Sequence, residues 1–306
     1  MKKRFVVLIA VLIVFILAAV AFATISEKEQ SALVYLTDFG VKDGAVSSMK
    51  GVAFGVDPEI KIYDLTHEIP NFNIWEGAYR LMQTAPYWPG ETVFVCVVDP
   101  GVGTERKSIV LKTKTNHYFV SPDNGLLTLV AEQMGIEEVR KIDEDVNRLP
   151  GSEESYTFHG RDVYSYTGAR LASGNISFEK VGPPLKQKIV MIDYQRPEIR
   201  GDAILGGIPI LDIQYGNVWT NIDKKTFERL GVKIGDELMV EIFENDELVY
   251  ENKIPYVNTF GDVEEGKPLV YLNELLNVSF ALNWDNFSET YNVYSGPEWS
   301  VRIKKA

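Results

Sequence analysis

The stretch Thr92-Val-Phe-Val-Cys-Val-Val-Asp-Pro-Gly-Val-Gly-Thr-Glu-Arg106 decides the fold of this chain. Its first half is an unbroken apolar run rich in valine, which is typical of a strand buried on both faces of a sheet. Its second half is a loop that carries Asp99 and Arg106, and its glycines allow tight turns. Polar loops at the ends of buried strands are where open α/β sheets bind small molecules. The stretch therefore predicts a reactive site at one edge of a sheet.

Three further segments repeat this combination of a titratable side chain beside glycine. They are Leu36-Thr-Asp-Phe-Gly40, Ser121-Pro-Asp-Asn-Gly125 and Thr157-Phe-His-Gly-Arg-Asp162. Strand-like and helix-like patterns alternate around them between residues 32 and 174. This alternation predicts an α/β fold with a central mixed, largely parallel sheet.

The pattern changes after Gly182-Pro-Pro184. Short β-rich runs then follow one another, separated by Gly, Asn, Asp and Pro, which is typical of a small sandwich or barrel. We therefore predict an α/β catalytic domain over residues 32–188 and a small all-β barrel domain over residues 200–306.

The N-terminus differs from the rest of the chain. Lys2, Lys3 and Arg4 precede an uncharged apolar stretch that ends at Ile25. A basic start followed by an apolar run predicts that residues 1–25 are a signal peptide or a membrane anchor. Both interpretations predict an extracytoplasmic protein, secreted or anchored, whose membrane contact is confined to this segment.

Composition excludes some partners. The formal net charge is −12, and an acidic surface repels phosphate backbones, so no nucleic-acid partner is expected. The single cysteine, Cys96, lies within the apolar run and is interpreted as a buried strand residue.

The loop after Val98 is not a nucleotide-phosphate loop. It lacks the lysine and serine of a P-loop, and Arg106 stands where a dinucleotide fingerprint requires glycine. The chain also lacks the Gly-x-Ser-x-Gly pattern of serine hydrolases. The loop is better explained as a tight turn that presents Asp99 and Arg106 to one common space.

The three histidines are His67, His117 and His159. None has the spacing of a known metal motif, so no metal is predicted, although a di-metal hydrolase built on aspartates stays open as an alternative. His117 is interpreted as a surface residue and His67 as a loop-fixing residue. His159, flanked by Gly160 and Arg161, is the best candidate for a catalytic histidine.

Five motifs, in this order, resemble the S-adenosylmethionine (SAM) hydrolase family, also called SAM hydroxide adenosyltransferase. This family is related to the fluorinating and chlorinating enzymes that use the same substrate. The resemblance extends from about Ala32 to Lys304. The motifs are Leu-Thr-Asp-Phe-Gly at 36–40, Val-Val-Asp-Pro-Gly-Val-Gly-Thr at 97–104, Pro-Asp-Asn-Gly at 122–125, Thr-Phe-His-Gly-Arg-Asp at 157–162 and Tyr-Gly-Asn-Val at 215–218.

The resemblance implies hydrolysis of SAM to adenosine and L-methionine, by attack of water or hydroxide at the ribose 5′ carbon and without a cofactor. Asp99, Arg106 and His159 match the family's catalytic residues. The sulfonium leaves as a neutral thioether, so the chemistry needs an oriented, deprotonated water and no acid for the leaving group. The resemblance further implies a homotrimer, in which each active site lies between the N-terminal domain of one subunit and the C-terminal domain of its neighbour.

The same resemblance implies how the nucleoside binds. Asp38 would accept hydrogen bonds from the ribose hydroxyls, and the ring of Phe72 would lie against the nucleoside. The adenine contacts would come from Asn217, Asn283 and Trp284.

The methionine end of the substrate is expected to contact acidic residues. Asp43 and Asp212 would bind its ammonium group. Where the halogenating relatives have a serine and an arginine for the methionine carboxylate, this chain has Glu274 and Leu275. Because glutamate repels a carboxylate, a water or a cation would have to lie between Glu274 and the substrate.

Two other functions remain open from the sequence. A halogenase of the same superfamily would need a small apolar pocket for a desolvated halide, and Asp99 would put a negative charge there. An exported nucleoside-binding protein could use Asp38 and Asn217, but it would have no need for Asp99, Arg106 and His159 together.

Overall fold

The computed structural model describes residues 31–186 and 188–306. Within these two ranges, no helix combines the length and the apolar character that a membrane span requires. The predicted signal peptide or anchor at residues 1–25 lies outside the described residues.

The N-terminal part is built on a mixed seven-stranded sheet with the strand order β2-β1-β3-β5-β4-β6-β7. The pairs β2-β1, β1-β3 and β3-β5 are parallel, and the remaining pairs are antiparallel. The predicted mixed α/β sheet is therefore confirmed, but it is not largely parallel, because three of its six strand pairs are antiparallel. The strands are β1 (Leu33–Thr37), β2 (Ile62–Thr66), β3 (Val93–Val97), β4 (Ser108–Thr113), β5 (Tyr118–Pro122), β6 (Ile136–Lys141) and β7 (Pro184–Leu185).

Helices cover both faces of this sheet. On one face, Met49 packs with Tyr35, and on the other, Leu81 packs with Leu36. Alternate residues of β1 thus point into two separate cores, which explains why its sequence is apolar throughout. The helices are α1 (Ala45–Val56), α2 (Ile74–Thr84), α3 (Thr128–Met134) and α4 (Tyr166–Ala172), the last continuing a π-helical turn at Gly160–Ser165. Short 3₁₀ segments are Ala85–Tyr87, Phe178–Lys180 and Phe260–Asp262.

Two glycines permit the close packing of helix on sheet. A Cβ at Gly77 in α2 would lie 2.6 Å from Leu126 Cδ1, and one at Gly168 in α4 would lie 2.4 Å from Val95 Cγ2. Both distances are shorter than carbon atoms tolerate, so these helices approach because glycine has no side chain.

The strand order creates a crevice at the edge where the site is predicted. The chain leaves β1 for β2 through α1 and returns past β1 to β3 through α2, on the opposite face. The strands β1 and β3 are therefore neighbours whose following connections diverge. In open α/β sheets ligands bind at such a switch point, beyond the carboxyl ends of the strands.

The C-terminal part contains two antiparallel sheets, with the orders β10-β11-β15-β14 and β13-β12-β16-β9-β8. Their inner faces share one core, which includes Ile204, Val240 and Phe280. The predicted antiparallel β structure is confirmed, with two five-residue helices beside it, while the barrel stays a prediction because the described pairings form two open sheets. The elements are β8 (Glu198–Arg200), β9 (Ala203–Ile208), β10 (Ile210–Asp212), β11 (Asn217–Asp223), α5 (Lys224–Glu228), β12 (Glu237–Glu244), β13 (Glu247–Pro255), β14 (Pro268–Leu272), β15 (Asn277–Leu282), α6 (Phe287–Tyr291) and β16 (Gly296–Lys305).

A small apolar cluster joins the two parts. Trp75 of α2 packs against Tyr194, with ring centroids 4.9 Å apart, and its Nε1 donates to the carbonyl of Pro209 over 2.8 Å. Ile210 and Trp219 complete the contact. The C-terminal sheets are thereby held beside α2.

Candidate active site

A cavity of about 480 Å³ lies beyond the carboxyl ends of β1 and β3. The two strands pair in parallel with Thr37 opposite Val97, so the residues that follow them emerge side by side. We call this space the N-terminal cavity. Five of the predicted site residues line it: Asp38, Asp43, Phe72, Asp99 and His159.

Asp38 and Phe72 are linked at one side of the N-terminal cavity. The carboxylate of Asp38 is buried and accepts a hydrogen bond of 2.9 Å from the backbone N–H of Phe72. Phe72 has a φ of 69° and is 67% exposed, so its ring is not part of the core. A bulky residue rarely adopts this backbone conformation, and here it leaves an aromatic surface at the rim of the cavity.

Asp99 forms a tight ion pair with Arg106. Arg106 Nε donates to Oδ1 over 3.0 Å, and Nη2 donates to Oδ2 over 2.5 Å. The Asp99 side chain is only 4% exposed, so the pair is shielded from water. Although burial opposes the charge, the hydrogen bonds to Asp99 raise the pKa of Arg106, which stays cationic. A bidentate arginine fixes the plane of the carboxylate as well as its charge.

His159 lies between two guanidinium groups. Its Nδ1 is 2.9 Å from Arg106 Nη2, and its Nε2 is 3.1 Å from Arg148 Nη2. Burial, together with the positive charges of Arg106 and Arg148, lowers the pKa of His159 despite the opposing effect of Glu144. The imidazole is therefore neutral at pH 7. A neutral imidazole has one acceptor nitrogen, so it accepts from one of these two arginines at a time.

The structure thus brings Asp99, Arg106 and His159 into one hydrogen-bonded cluster, with Asp99 and His159 at the cavity wall. The sequence interpretation missed Arg148 and Glu144, which touch this cluster from the segment after β6. The one signal available was their spacing of four residues, which is common among charged residues and carried no information about His159.

A second cavity, of about 920 Å³, lies in the C-terminal part, and we call it the C-terminal cavity. Asn217 Nδ2 donates to Asp212 Oδ2 over 3.1 Å at its wall. Trp284 is 87% exposed and has a φ of 60°. Five predicted site residues line this cavity: Asp212, Asn217, Glu274, Asn283 and Trp284.

Among the described residues, none lines both the N-terminal and the C-terminal cavity. Asp43 and Asp212, predicted to bind the same ammonium group, belong to different cavities. Asp43 lies at the start of α1, where its Oδ1 accepts from the backbone N–H of Ala45 over 2.9 Å. The predicted substrate contacts are therefore divided into two groups within one chain.

The other two histidines have structural contacts. His67 Nδ1 lies 2.8 Å from Thr37 Oγ1 and its Nε2 lies 3.0 Å from Asp64 Oδ1, as expected for a loop-fixing residue. The interpretation of His117 as a surface residue was wrong: it is buried, and its Nε2 donates to the carbonyl of Trp88 over 2.9 Å. Its position before a strand in the sequence gave no sign that the neighbouring loop, which includes Trp88, would bury it.

Cys96 is fully buried in β3, as predicted, and burial raises the pKa of its thiol well above the ordinary value. In the part of the chain that the structure describes, no group of three or more His, Cys, Asp or Glu residues is arranged to hold a metal ion.

Two family models match this chain. Residues 33–182 match the N-terminal domain of SAM hydroxide adenosyltransferase, and residues 206–300 match its C-terminal domain. The chain belongs to this family.

Individual relatives agree with this assignment. The chain is 37% identical over 259 residues to the (R)-S-adenosyl-L-methionine hydrolase of Methanocaldococcus jannaschii, covering 80% of this chain and 91% of the relative. It is 27% identical over 305 residues to the fluorinase of Nocardia brasiliensis, covering 92% of this chain and 99% of the relative. A crystal structure of an uncharacterized conserved protein from Thermotoga maritima superimposes with a TM-score of 0.80 at 35% identity, covering 89% of this chain and 100% of that one.

The extracytoplasmic localisation predicted from residues 1–25 is wrong by this comparison. The relatives that share the fold are named as enzymes of SAM chemistry and not as secreted or anchored proteins. The physical reason for the error is that a basic start and an apolar run report local hydrophobicity alone.

Proposed function

We propose that this protein hydrolyses SAM to adenosine and L-methionine, by attack of water or hydroxide at the ribose 5′ carbon. SAM is the substrate, and no cofactor takes part. The observation that carries the proposal is the cluster of Asp99, Arg106 and His159 at the wall of a cavity, in a chain of the SAM hydroxide adenosyltransferase family.

Asp99 is proposed to orient the attacking water and to accept its proton. Its carboxylate borders the cavity while Arg106 holds it from behind, which keeps the charge in one place. Sulfur leaves as a neutral thioether, so the reaction needs no general acid. A positioned general base typically contributes a factor of about 10²–10⁴ to the rate.

His159 is proposed to assist Asp99 as a neutral imidazole. Its Nδ1 faces the same Arg106 nitrogen that donates to Asp99 Oδ2, so the three groups share one set of hydrogen bonds. When the water loses its proton, this set can redistribute the positive charge around the carboxylate. Close placement of the water and the 5′ carbon supplies further acceleration.

We infer that substrate binding uses both cavities. Asp38 would hold the ribose and Phe72 would cover the nucleoside in the N-terminal cavity, while Asn217, Asn283 and Trp284 would contact adenine in the C-terminal cavity. The division of these residues between two separate cavities supports an active site shared between subunits, as in the homotrimer that the family resemblance implies, with the C-terminal cavity of one subunit facing the N-terminal cavity of the next. We likewise propose the domain limits 32–188 and 200–306, and closure of the C-terminal sheets into a barrel.

The methionine end is proposed to lie among acidic groups. Asp43 and Asp212, one from each cavity, would bind the ammonium group once two subunits come together. Glu274 also lines the C-terminal cavity, so the methionine carboxylate would need a water or a cation between itself and this residue.

Product analysis tests the proposed reaction. The purified chain from Glu27 onward is incubated with SAM, and adenosine and methionine are followed by HPLC. We expect both products in equal amounts. Adenosine absent from the unmodified chain, with SAM binding intact in calorimetry, would favour the nucleoside-binding alternative.

A halogenase is the second candidate because fluorinases are among the relatives. It is tested by adding chloride or fluoride to the same reaction and looking for a 5′-halogenated nucleoside. The negative charge of Asp99 at the cavity wall opposes a bound halide, so we expect adenosine alone.

A further inference from the structure

The segment between β6 and the π-helical turn carries a charged pair beside the catalytic cluster. Arg148 Nη2 donates to Glu144 Oε2 over 2.7 Å, and the Arg148 side chain is 7% exposed. Its guanidinium also lies 5.1 Å from the ring centroid of Tyr156. A buried arginine held by a carboxylate and an aromatic ring has little freedom to move.

This pair closes a circuit of polar contacts around His159, in which the neutral imidazole accepts a hydrogen bond at one ring nitrogen at a time. Arg106 Nη1 donates to Ser108 Oγ over 3.1 Å, and Ser108 Oγ donates to Glu144 Oε1 over 3.0 Å. Glu144 binds Arg148, and the contacts of Arg148 and Arg106 with the two ring nitrogens of His159 complete the circuit. Each ring nitrogen of His159 therefore faces a group whose own position is fixed by the same circuit.

We infer that Glu144 and Arg148 are positioning residues that hold the imidazole of His159 against Arg106 and Asp99 for the reaction. This inference rests on the proposed function. The two residues act through His159, since Arg148 contacts its Nε2 while Glu144 and Ser108 tie Arg148 back to Arg106. Neither Glu144 nor Arg148 lines the N-terminal cavity.

The pair also sets the charge around the imidazole, with opposite signs for its two members. Arg148 lowers the pKa of His159, and Glu144 raises it. Glu144 itself stays ionised because the hydrogen bonds from Arg148 and Ser108 outweigh the effect of burial and lower its pKa. The titratable groups that face His159 from all sides are Asp99, Arg106, Glu144, Arg148, Tyr156 and Tyr164.

The test uses Arg148→Gln and Glu144→Gln, with kcat measured by adenosine release across pH. Loss of Arg148 removes a positive charge, so His159 becomes protonated at higher pH and the acid limb of the kcat profile moves to higher pH. Loss of the Glu144 charge moves the acid limb to lower pH. In both variants we expect kcat at its optimum to fall by about 10²-fold, because the imidazole is no longer held in place. Arg148→Lys keeps the charge and should return the acid limb close to its original position.

Arg170→Gln is the matched control. Arg170 reaches from α4 to the same segment, where Nη1 donates to the carbonyl of Val146 over 3.0 Å and to Asn147 Oδ1 over 2.8 Å, but it does not contact His159. We expect this variant to lower thermal stability and to leave the pH profile unchanged.

A second readout does not depend on turnover. The titration of the His159 imidazole is followed by NMR in each variant and identified by comparison with His159→Asn. Opposite shifts in Arg148→Gln and Glu144→Gln support the inference. Equal titration in all variants, or an unchanged kcat, overturns it. If the His159 titrations shift as expected but the unmodified chain releases no adenosine from SAM, the proposed function is overturned instead.

Discussion

The N-terminal and C-terminal cavities differ in how their polar groups are held. In the N-terminal cavity, Asp99 and His159 are tied by charged hydrogen bonds to buried arginines. In the C-terminal cavity, which has almost twice the volume, Trp284 is 87% exposed and Asn217 bonds to the neighbouring Asp212. Rigid, charged groups suit a chemical step, and an open aromatic surface suits recognition of a flat base. Under the proposed function, the chemical step belongs to the N-terminal cavity and recognition of adenine to the C-terminal cavity.

The largest effect on catalysis is expected for Asp99→Asn. This variant keeps the shape of the side chain but removes its negative charge, so we expect kcat to fall by roughly 10²–10⁴-fold. Adenosine release on HPLC measures the effect, and binding of SAM by calorimetry is the control. Near-normal turnover would show that the N-terminal cavity is not where the water is activated.

Mixing two variants tests whether the N-terminal cavity of one subunit and the C-terminal cavity of another form one active site. Asp99→Asn damages the N-terminal cavity and Asn217→Ala the C-terminal one, so each alone should have little activity at low SAM. In mixed trimers, some sites receive both undamaged halves, and about one quarter of the unmodified activity is expected after refolding the two together. If the mixture is no more active than the two variants measured separately, each active site is contained within a single chain.

A smaller effect on binding alone is expected for Trp284→Ala. Stacking of a base on an aromatic ring contributes roughly 1–3 kcal/mol, so KM should rise roughly 5- to 150-fold while kcat stays unchanged. The high exposure of Trp284 means that thermal stability should not fall. Tyr294→Ala, at an exposed aromatic residue that does not line the C-terminal cavity, is the control. A fall in kcat would contradict the division between the cavities.

The smallest effect is expected for a residue that supports the N-terminal cavity without lining it. In His67→Phe, the buried hydroxyl of Thr37 loses its imidazole partner, which should lower the free energy of unfolding by about 1–3 kcal/mol. Urea unfolding measures the loss. Lys50→Met removes an exposed charge from Asp64 at the outer end of the same chain of contacts and should cost less than about 1 kcal/mol. Equal losses in the two variants would contradict a structural role for His67.

Strands and helices with strong local patterns were predictable. The run that became β3, including buried Cys96, followed from its sequence. The strand β6 has no such signal, because Ile136–Lys141 (Ile-Glu-Glu-Val-Arg-Lys) has two apolar residues that are three positions apart, and it follows a helix directly. Its partner β4 is more than twenty residues earlier in the chain, and pairing across that distance has no local signal.

The site was predictable in part. Asp99 and Arg106 are close in sequence on a glycine-containing loop, and their bond follows from that loop. The contacts of His159 with Arg106 and Arg148 join segments that are far apart, and no spacing rule connects them. The barrel, the domain limits and the roles of the site residues stay predictions.

By itself, the sequence determined the strands with strong apolar patterns, which loops carry titratable groups, and the family to which the chain belongs. Those properties depend on local periodicity and on the order of short motifs. Only the tertiary structure decided that His159 lies between two arginines and that the residues predicted to bind substrate divide between two cavities. The physical reason is that burial and charge at a side chain depend on all the segments packed around it, and these segments come together only when the chain folds.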